Sequence, residues 1–365
     1  MLLPMPIPNA PFILLRDPAS YVACSWDLVA DDIGRSYWCQ FFVHHIRLLA
    51  KLGVEAAVIR GESRESAQQR AENCFAEFDH IFQAFEQDGR SRPTTLGSQE
   101  ARVTILTLDE WRDQLLRKHG FVDAMIDLKN IENERAIVLL QDVIKDLDAI
   151  ADPRQQLHTA VVGVFAGNRF DMGAKASSQQ YLAGTAPNFA DTRAQITRPF
   201  LIDDLDAFSD YVLGKPITKA VFFIDNAGSD FLLGAVPLTR LLASRGTHVV
   251  IAANERPTLN DMTVHDVRAW WPKVCERVPG LAKLPIEIVS TGTGEPLIDL
   301  SKVSDELNHA SQGAGLVILE GMGRGVESNL DAEFLCPAVN LAMLKDEMIA
   351  TRLGGKLFDS VCRFR

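Results

Sequence analysis

The feature that most restricts this chain is a set of short runs, apolar throughout, that begins near residue 215. They read "KAVFFID", "THVVIAAN", "IEIVSTG", "GLVILEG" and "AVNLAML", with "KLFDSVCRF" last. A strand with one wet face alternates apolar and polar residues, whereas a strand covered on both faces does not. The stretches between the runs, "SDFLLGAVPLTRLLASRG", "MTVHDVRAWWPKVCERV", "IDLSKVSDELNHASQG" and "KDEMIATRLGG", carry helical spacing. Buried strands alternating with helices predict a largely parallel sheet between helical layers, a doubly wound (Rossmann-like) α/β/α domain.

Ahead of this region the texture is helical, from about Ser36 to about Phe165. "YWCQFFVHHIRLLAKLG" repeats apolar residues at helical spacing and stops at a glycine. "TLDEWRDQLLRKHG" sets Thr107 and Glu110 at capping-box spacing and closes on Lys118-His119-Gly120. The opening "MLLPMPIPNAPF" holds four prolines and reads as an extended arm. The expected organisation is an arm and helical N-terminal domain over 1–165, then an α/β/α catalytic domain with the metal site over 166–365.

Composition removes several function classes. A net charge of -11 argues against a nucleic-acid surface, which needs a concentrated basic face. No run of about eighteen apolar residues appears, so no membrane span is expected. The first residues have no basic segment leading into an apolar one, so no secretory signal is expected. Six scattered cysteines without a CxxC pair read as reduced, mostly buried thiols of a cytoplasmic protein.

The chemistry lies where the runs end. In open α/β sheets, ligands bind beyond the carboxyl ends of the strands. The first run ends in Asp225-Asn226 with Asp230 shortly after, and the second in Asn254-Glu255, its loop continuing to Asn260-Asp261. The third ends in Ser290-Thr291-Gly292, the fourth in Glu320-Gly321-Met322-Gly323-Arg324-Gly325, and the fifth runs into Lys345. If these strands are parallel, the groups meet at one edge. Carboxylate and amide oxygens suit a hard divalent cation such as Mg or Mn. A glycine-rich turn with Arg324 and Lys345 suits an anion such as phosphate.

Each group alone has an ordinary reading. Asp225-Asn226 and Asn260-Asp261 resemble helix caps, Ser290-Thr291-Gly292 a turn, and Lys345 a solvated side chain. "GMGRG" lacks GxGxxG spacing, and it is the sole support for a methyltransferase or nucleotide-binding reading. "LIDDLDAF" has Phe208 where a DxDxT phosphatase needs threonine. "FAGNRFDMGA", with Asn168 and Asp171, reads equally as a plain loop or a substrate-facing one. Recurrence at five strand ends is what favours a site.

Taken together, "FAGNRFDMG", "FIDNAGSDFLLG", "AANERPTLNDMT", "STGTGEPLIDLSKVS", "VILEGMGRGVESN" and "MLKDEMIATRLGG" resemble the metal-dependent damage-control phosphatase family. The closest branch holds plant stand-alone proteins and the carboxy-terminal domain of pantothenate kinase 4-type proteins. The likeness is dense from 160 to 362 and weaker between about 20 and 100. It implies one divalent cation (Mn, Co, Ni or Mg) held by Asp225, Asn226 and Asp261, with Asp230 as an acid-base or supporting group. It implies Lys345 as a phosphate contact and Asn168 and Asp171 on the substrate side. Ser290, Glu320, Gly323 and Arg324 complete the expected phosphate pocket. The implied substrate is a small phosphorylated metabolite, 4'-phosphopantetheine or its oxidised forms. A sugar-phosphate phosphatase and a non-catalytic phosphometabolite binder are the alternatives. No nucleic-acid or membrane partner is expected, and homo-oligomerisation is left open.

Overall fold

The computed structural model describes residues 10–93, 96, 102–169 and 188–365. They form two compact units, one made of the described residues up to 23, within 129–256 and within 260–365, the other of those within 24–128 and 257–259. The boundary thus falls near 128 and not at 165, because the later helices of the helical stretch pack with the sheet.

The helical unit is built on α1 (Asp32–Ile59), α2 (Arg64–Gln87) and α3 (Ile105–Lys118). Phe42, Phe78, Phe82, Phe85 and Trp111 fill its centre, with Phe78 and Phe82 stacked at 4.0 Å. Helix α3 begins three residues earlier than its sequence suggests. Thr104 is the N-cap and Thr107 its capping-box partner. Thr107 is therefore an N3 residue, and Glu110 takes no part in the box. A threonine three residues upstream offered an equivalent cap, and burial of Ile105 and Leu106 decided between them. Arg112 is fully buried and paired with Asp109 and Asp113 at 2.5 and 2.8 Å. Burial drives the thiols of Cys39 and Cys74 up to about 12. No disulfide links any of the six cysteines.

In the larger unit, α4 (Ile126–Asp148), α5 (Pro153–Asn168), α6 (Phe189–Gln195) and α7 (Leu205–Gly214) accompany seven strands among the described residues. These are β1 (Ile202–Asp203), β2 (Lys219–Phe223), β3 (His248–Ala253), β4 (Ile286–Ser290), β5 (Leu316–Glu320), β6 (Ala338–Met343) and β7 (Ser360–Phe364). Their order is β1-β7-β6-β5-β2-β3-β4. Every pairing is parallel except β6 with β7. Helices α8 (Val236–Ser244), α9 (Val264–Arg277), α10 (Asp305–Ala310) and α11 (Glu347–Arg352) join the strands.

The missing alternation is explained by two cores. Ala220, Phe222, Val249, Ile251, Leu316 and Ile318 face the α5 and α8 side. Val221, Phe223, Val250, Ala252, Val317 and Leu319 face the other side, where Phe12, Leu14 and Leu15 cover them. The backbone of Phe12 donates to Leu300 at 2.8 Å, and the Phe12 ring meets Phe223 edge-on at 5.4 Å. The first nine residues, including the opening prolines at 4, 6 and 8, lie outside the described ones. Among the described residues, no helix is long and apolar enough to cross a membrane.

Strand β2 lies between β3 and β5, so the chain leaves it in one direction toward β4 and returns on the other side toward β6. This is the topological switch point, where an open sheet has its crevice. A π-helical turn follows each of the two strands that flank it, Asp230–Ala235 after β2 and Gly323–Ser328 after β5. Such turns are frequent at functional sites.

Candidate active site

The loops after β2 and β3 are zipped together. Asn226 faces Asp261 in an antiparallel bridge, the Met262 N–H donates to the Asp225 carbonyl at 2.9 Å, and the Ala227 N–H donates to Asn260 at 2.8 Å. Backbone pairing thus sets the two acids side by side. Neither caps a helix. The turn after β2 has Ser229 at its N-cap position, and α9 is capped by Thr263 in a box with Asp266.

Between the two acids lies Arg324, carried by the turn after β5. One guanidinium nitrogen donates to Asp225 Oδ1 and to the Pro296 carbonyl at 3.1 Å; the other donates to Asp261 Oδ2 at 2.5 Å. The second oxygen of Asp225 accepts from the amides of Asn226 at 2.8 Å and Asn168 at 3.0 Å. Asp230 Oδ2 accepts three bonds, from Asn168 Nδ2, Asn226 Nδ2 and the Asn226 N–H, at 2.9, 2.9 and 3.1 Å. With its Nδ2 occupied twice, Asn226 is held in one amide orientation, its Oδ1 turned from the two carboxylates. Asn168 is equally committed, since its Oδ1 accepts from the Met343 N–H at 3.4 Å.

Two glycines make room for this network. Gly321 has φ +93, and a Cβ there would run into the Asp225 carboxylate. A Cβ on Gly167 would meet the Ser229 carbonyl at 2.7 Å, so its absence lets α5 abut the Asp230 turn. Gly321→Ala combines backbone strain with a steric clash and is expected to destabilise the protein by about 2–4 kcal/mol. Thermal unfolding of the metal-free variant measures it; an unchanged midpoint would mean that Asp225 has slack.

The electrostatics are those of a crowded acid site. Burial raises Asp225 well above the usual carboxylate range, with Arg324 and Lys345 opposing and Asp261 reinforcing. Asp230 is also raised by burial, against Lys345 and its three amide bonds. Glu320 is fully buried at the end of β5, and burial, then the charges of Asp230 and Asp225, push it well upward. Its carboxyl group meets that of Asp230 side by side, so acid faces acid. Burial works against the charge of Arg324, but Asp261 and Asp225 outweigh it and raise its pKa. Four carboxyl groups thus face two cationic side chains.

Asp225, Asn226, Asp261, Asp230, Asn168, Arg324, Lys345 and Glu320 all belong to this neighbourhood. Ser290 is engaged elsewhere, since its hydroxyl donates to Glu255 and accepts from the Gly292 N–H at 3.0 Å. Gly323 serves a close approach, because a Cβ there would meet the Pro296 carbonyl at 2.6 Å. Glu320 sits behind Asp230, where an ionised carboxylate would repel a phosphate. Asp171 lies outside the described residues. Asn254 was legible only as one more polar strand end, yet its Nδ2 donates to Asp261 Oδ2 and to the Glu295 carbonyl, both at 3.1 Å. Among the described residues, no three His, Cys, Asp or Glu side chains form a metal-holding group. The donor set is instead two carboxylates and an amide. It fits a hard cation, because Asp225 Oδ1 and Asp261 Oδ2 already converge on one positive group.

A family model described as the damage-control phosphatase ARMT1-like domain matches residues 51–361. The chain is 34% identical to a damage-control phosphatase of Arabidopsis thaliana over 99% of its own length and 95% of that protein's. It is 34% identical to pantothenate kinase 2 of the same plant but spans only 41% of it. To the 4'-phosphopantetheine phosphatase of Mus musculus it is 29% identical, over 98% of this chain and 48% of that one. A crystal structure of a DUF89 family protein from Pyrococcus horikoshii has the same fold, with a TM-score of 0.61 at 18% identity, over 89% of this chain and 96% of that one.

Proposed function

Because the chain belongs to the damage-control phosphatase ARMT1-like domain family, we propose that it is a metal-dependent phosphomonoesterase acting on a small phosphorylated metabolite. The observation that carries the reading is the convergence of Asp225 and Asp261, from the loops after neighbouring parallel strands, on a single cation position at the switch point of the sheet.

Asp225, Asp261 and the Asn226 amide oxygen would hold one divalent cation. Bound there, it would neutralise charge on the phosphoryl oxygens and acidify a bound water. The remaining roles belong to the protein's own side chains. Arg324 and Lys345 bring the positive charge that a transferring phosphoryl group needs, Arg324 with the planar fork suited to bidentate contact. Asp230 orients Asn226 and Asn168 and, through them, Asp225. Burial raises the pKa values of Asp230 and Glu320 and so favours their protonated forms behind the proposed cation position. A phospho-aspartate on Asp225 is disfavoured, since that carboxylate is committed to the cation.

The preferred substrate is 4'-phosphopantetheine or an oxidised form of it, a reading supported by the likeness to the mouse phosphatase of that name. The test is phosphate release by metal-stripped protein, alone and with Mg, Mn, Co or Ni. The substrates are 4'-phosphopantetheine, its sulfonate form and several sugar phosphates. Metal-dependent release favouring the pantetheine compounds is expected. A preference for sugar phosphates would keep the chemistry and replace the substrate. Binding without release under any metal would make the chain a phosphometabolite-binding protein.

A further inference from the structure

Close to the acid cluster, on the side of β6 and β7, lies a cavity of about 340 Å³. That is the lower end of the range of small-molecule sites, about 300–1,000 Å³. Its walls include Arg169, Thr192, Phe200, Met343, Lys356 and Phe358. Three separate segments bring it next to the candidate active site. Arg169 follows Asn168, whose amide holds Asp225 and Asp230. Met343 is two residues from Lys345, and its N–H donates to Asn168. The Phe358 N–H donates to the carbonyl of Leu344, the residue before Lys345, at 2.7 Å.

The cavity is built for a ligand in three respects. Thr192 is 98% buried, and its hydroxyl has no hydrogen-bond partner among the described residues. A buried hydroxyl left in that state costs free energy until something satisfies it. Phe358 has φ +68, a strained conformation for an aromatic residue and one that concentrates at ligand-contacting positions. That backbone holds its ring under the Arg169 guanidinium, 3.7 Å from the ring centroid. Lys356 adds a second cation at the exposed rim. Donors therefore predominate, over a floor that is aromatic.

We infer that this cavity seats the part of the substrate beyond its phosphate, a slender organic chain whose hydroxyl, amide or anionic oxygens meet Thr192, Arg169 and Lys356 while its carbon skeleton lies on Phe200 and Phe358. The inference rests on the phosphatase reading for the position of the phosphate. It makes Thr192 and Lys356 specificity-determining residues that leave the reacting atoms untouched.

The test compares 4'-phosphopantetheine, which has such a chain, with p-nitrophenyl phosphate, which has none. Thr192→Val and Lys356→Ala should each lower the ratio of kcat/KM for the first substrate to that for the second by about three- to tenfold, the range of one lost hydrogen bond. Thr192→Val should also unfold at the same temperature as the parent or higher, because it removes an unsatisfied buried hydroxyl. A merely structural threonine would give the opposite shift. An unchanged ratio in both variants overturns the inference. Should the parent hydrolyse neither ester, the phosphatase reading fails on its own. The cavity is then judged by calorimetry with pantetheine, the chain without its phosphate. Binding weakened by Thr192→Val upholds the cavity, and no binding to the parent overturns it.

Discussion

Asp225→Ala is expected to reduce metal-dependent phosphate release by about a thousandfold or more while the protein stays folded. A bound cation contributes several kcal/mol of charge stabilisation in phosphoryl transfer, and each 1.36 kcal/mol is about tenfold in rate. The fold should survive, because in the metal-free protein this carboxylate is costly. It is buried and lies near the like charges of Asp261 and Asp230. Its removal leaves Arg324 paired with Asp261 at 2.5 Å and relieves that repulsion. The amides of Asn168 and Asn226 keep their bonds to Asp230. Activity, cation binding by titration and the unfolding midpoint should be measured on one preparation. Turnover within tenfold of the parent, with cation still bound, would remove Asp225 from the ligand set.

Arg324→Met should do the reverse to stability. Without the guanidinium, Asp225 and Asp261 face each other with no compensating charge between them, and breaking a buried ion pair costs about 3–5 kcal/mol. The metal-free variant should therefore melt well below the parent. A divalent cation should recover much of the loss, since it neutralises the same two oxygens. The cation-induced rise in unfolding midpoint should thus be larger in Arg324→Met than in the parent. Turnover should remain about a hundredfold or more down with saturating cation, because the phosphoryl group loses its bidentate donor. Thermal unfolding with and without Mn, followed by steady-state rates, separates the two effects. A metal-free midpoint equal to the parent's would show that Arg324 is not what holds these acids together. Full activity would show that it does not meet the phosphate.

The two expectations differ because the same three side chains play different parts in stability and in chemistry. On the proposed reading, Asp225 and Asp261 cost stability without a cation, and Arg324 stands in for one. Asn168 and Asp230 work at one remove by orienting Asn226 and Asp225.

Much of this was legible in the chain, for a local reason. Runs such as "KAVFFID" and "GLVILEG" are apolar throughout because both faces of β2 and β5 are buried, so composition alone betrays a parallel sheet covered on both faces. Their abrupt polar endings mark where backbone leaves the sheet, and in parallel strands those endings must share an edge. Candidates at residues 225, 226, 261, 324 and 345 followed from that geometry. The helix start at Thr104 did not, because two threonines offered equivalent caps and burial of the following leucine and isoleucine chose between them.

Partnership is what only the tertiary structure decided. Asn168, 57 residues from Asp225, proved to brace carboxylates, Arg324 to bridge two acids 99 and 63 residues away, and Asn254 to hold Asp261. Ser290 has the same strand-end position yet turns to Glu255. Local sequence determines which residues reach the edge of the sheet, because alternation, burial and turn chemistry act over a few neighbours. Which of them meet is set by strand order and by the competition of buried donors for acceptors, and that exists only once distant segments are packed together.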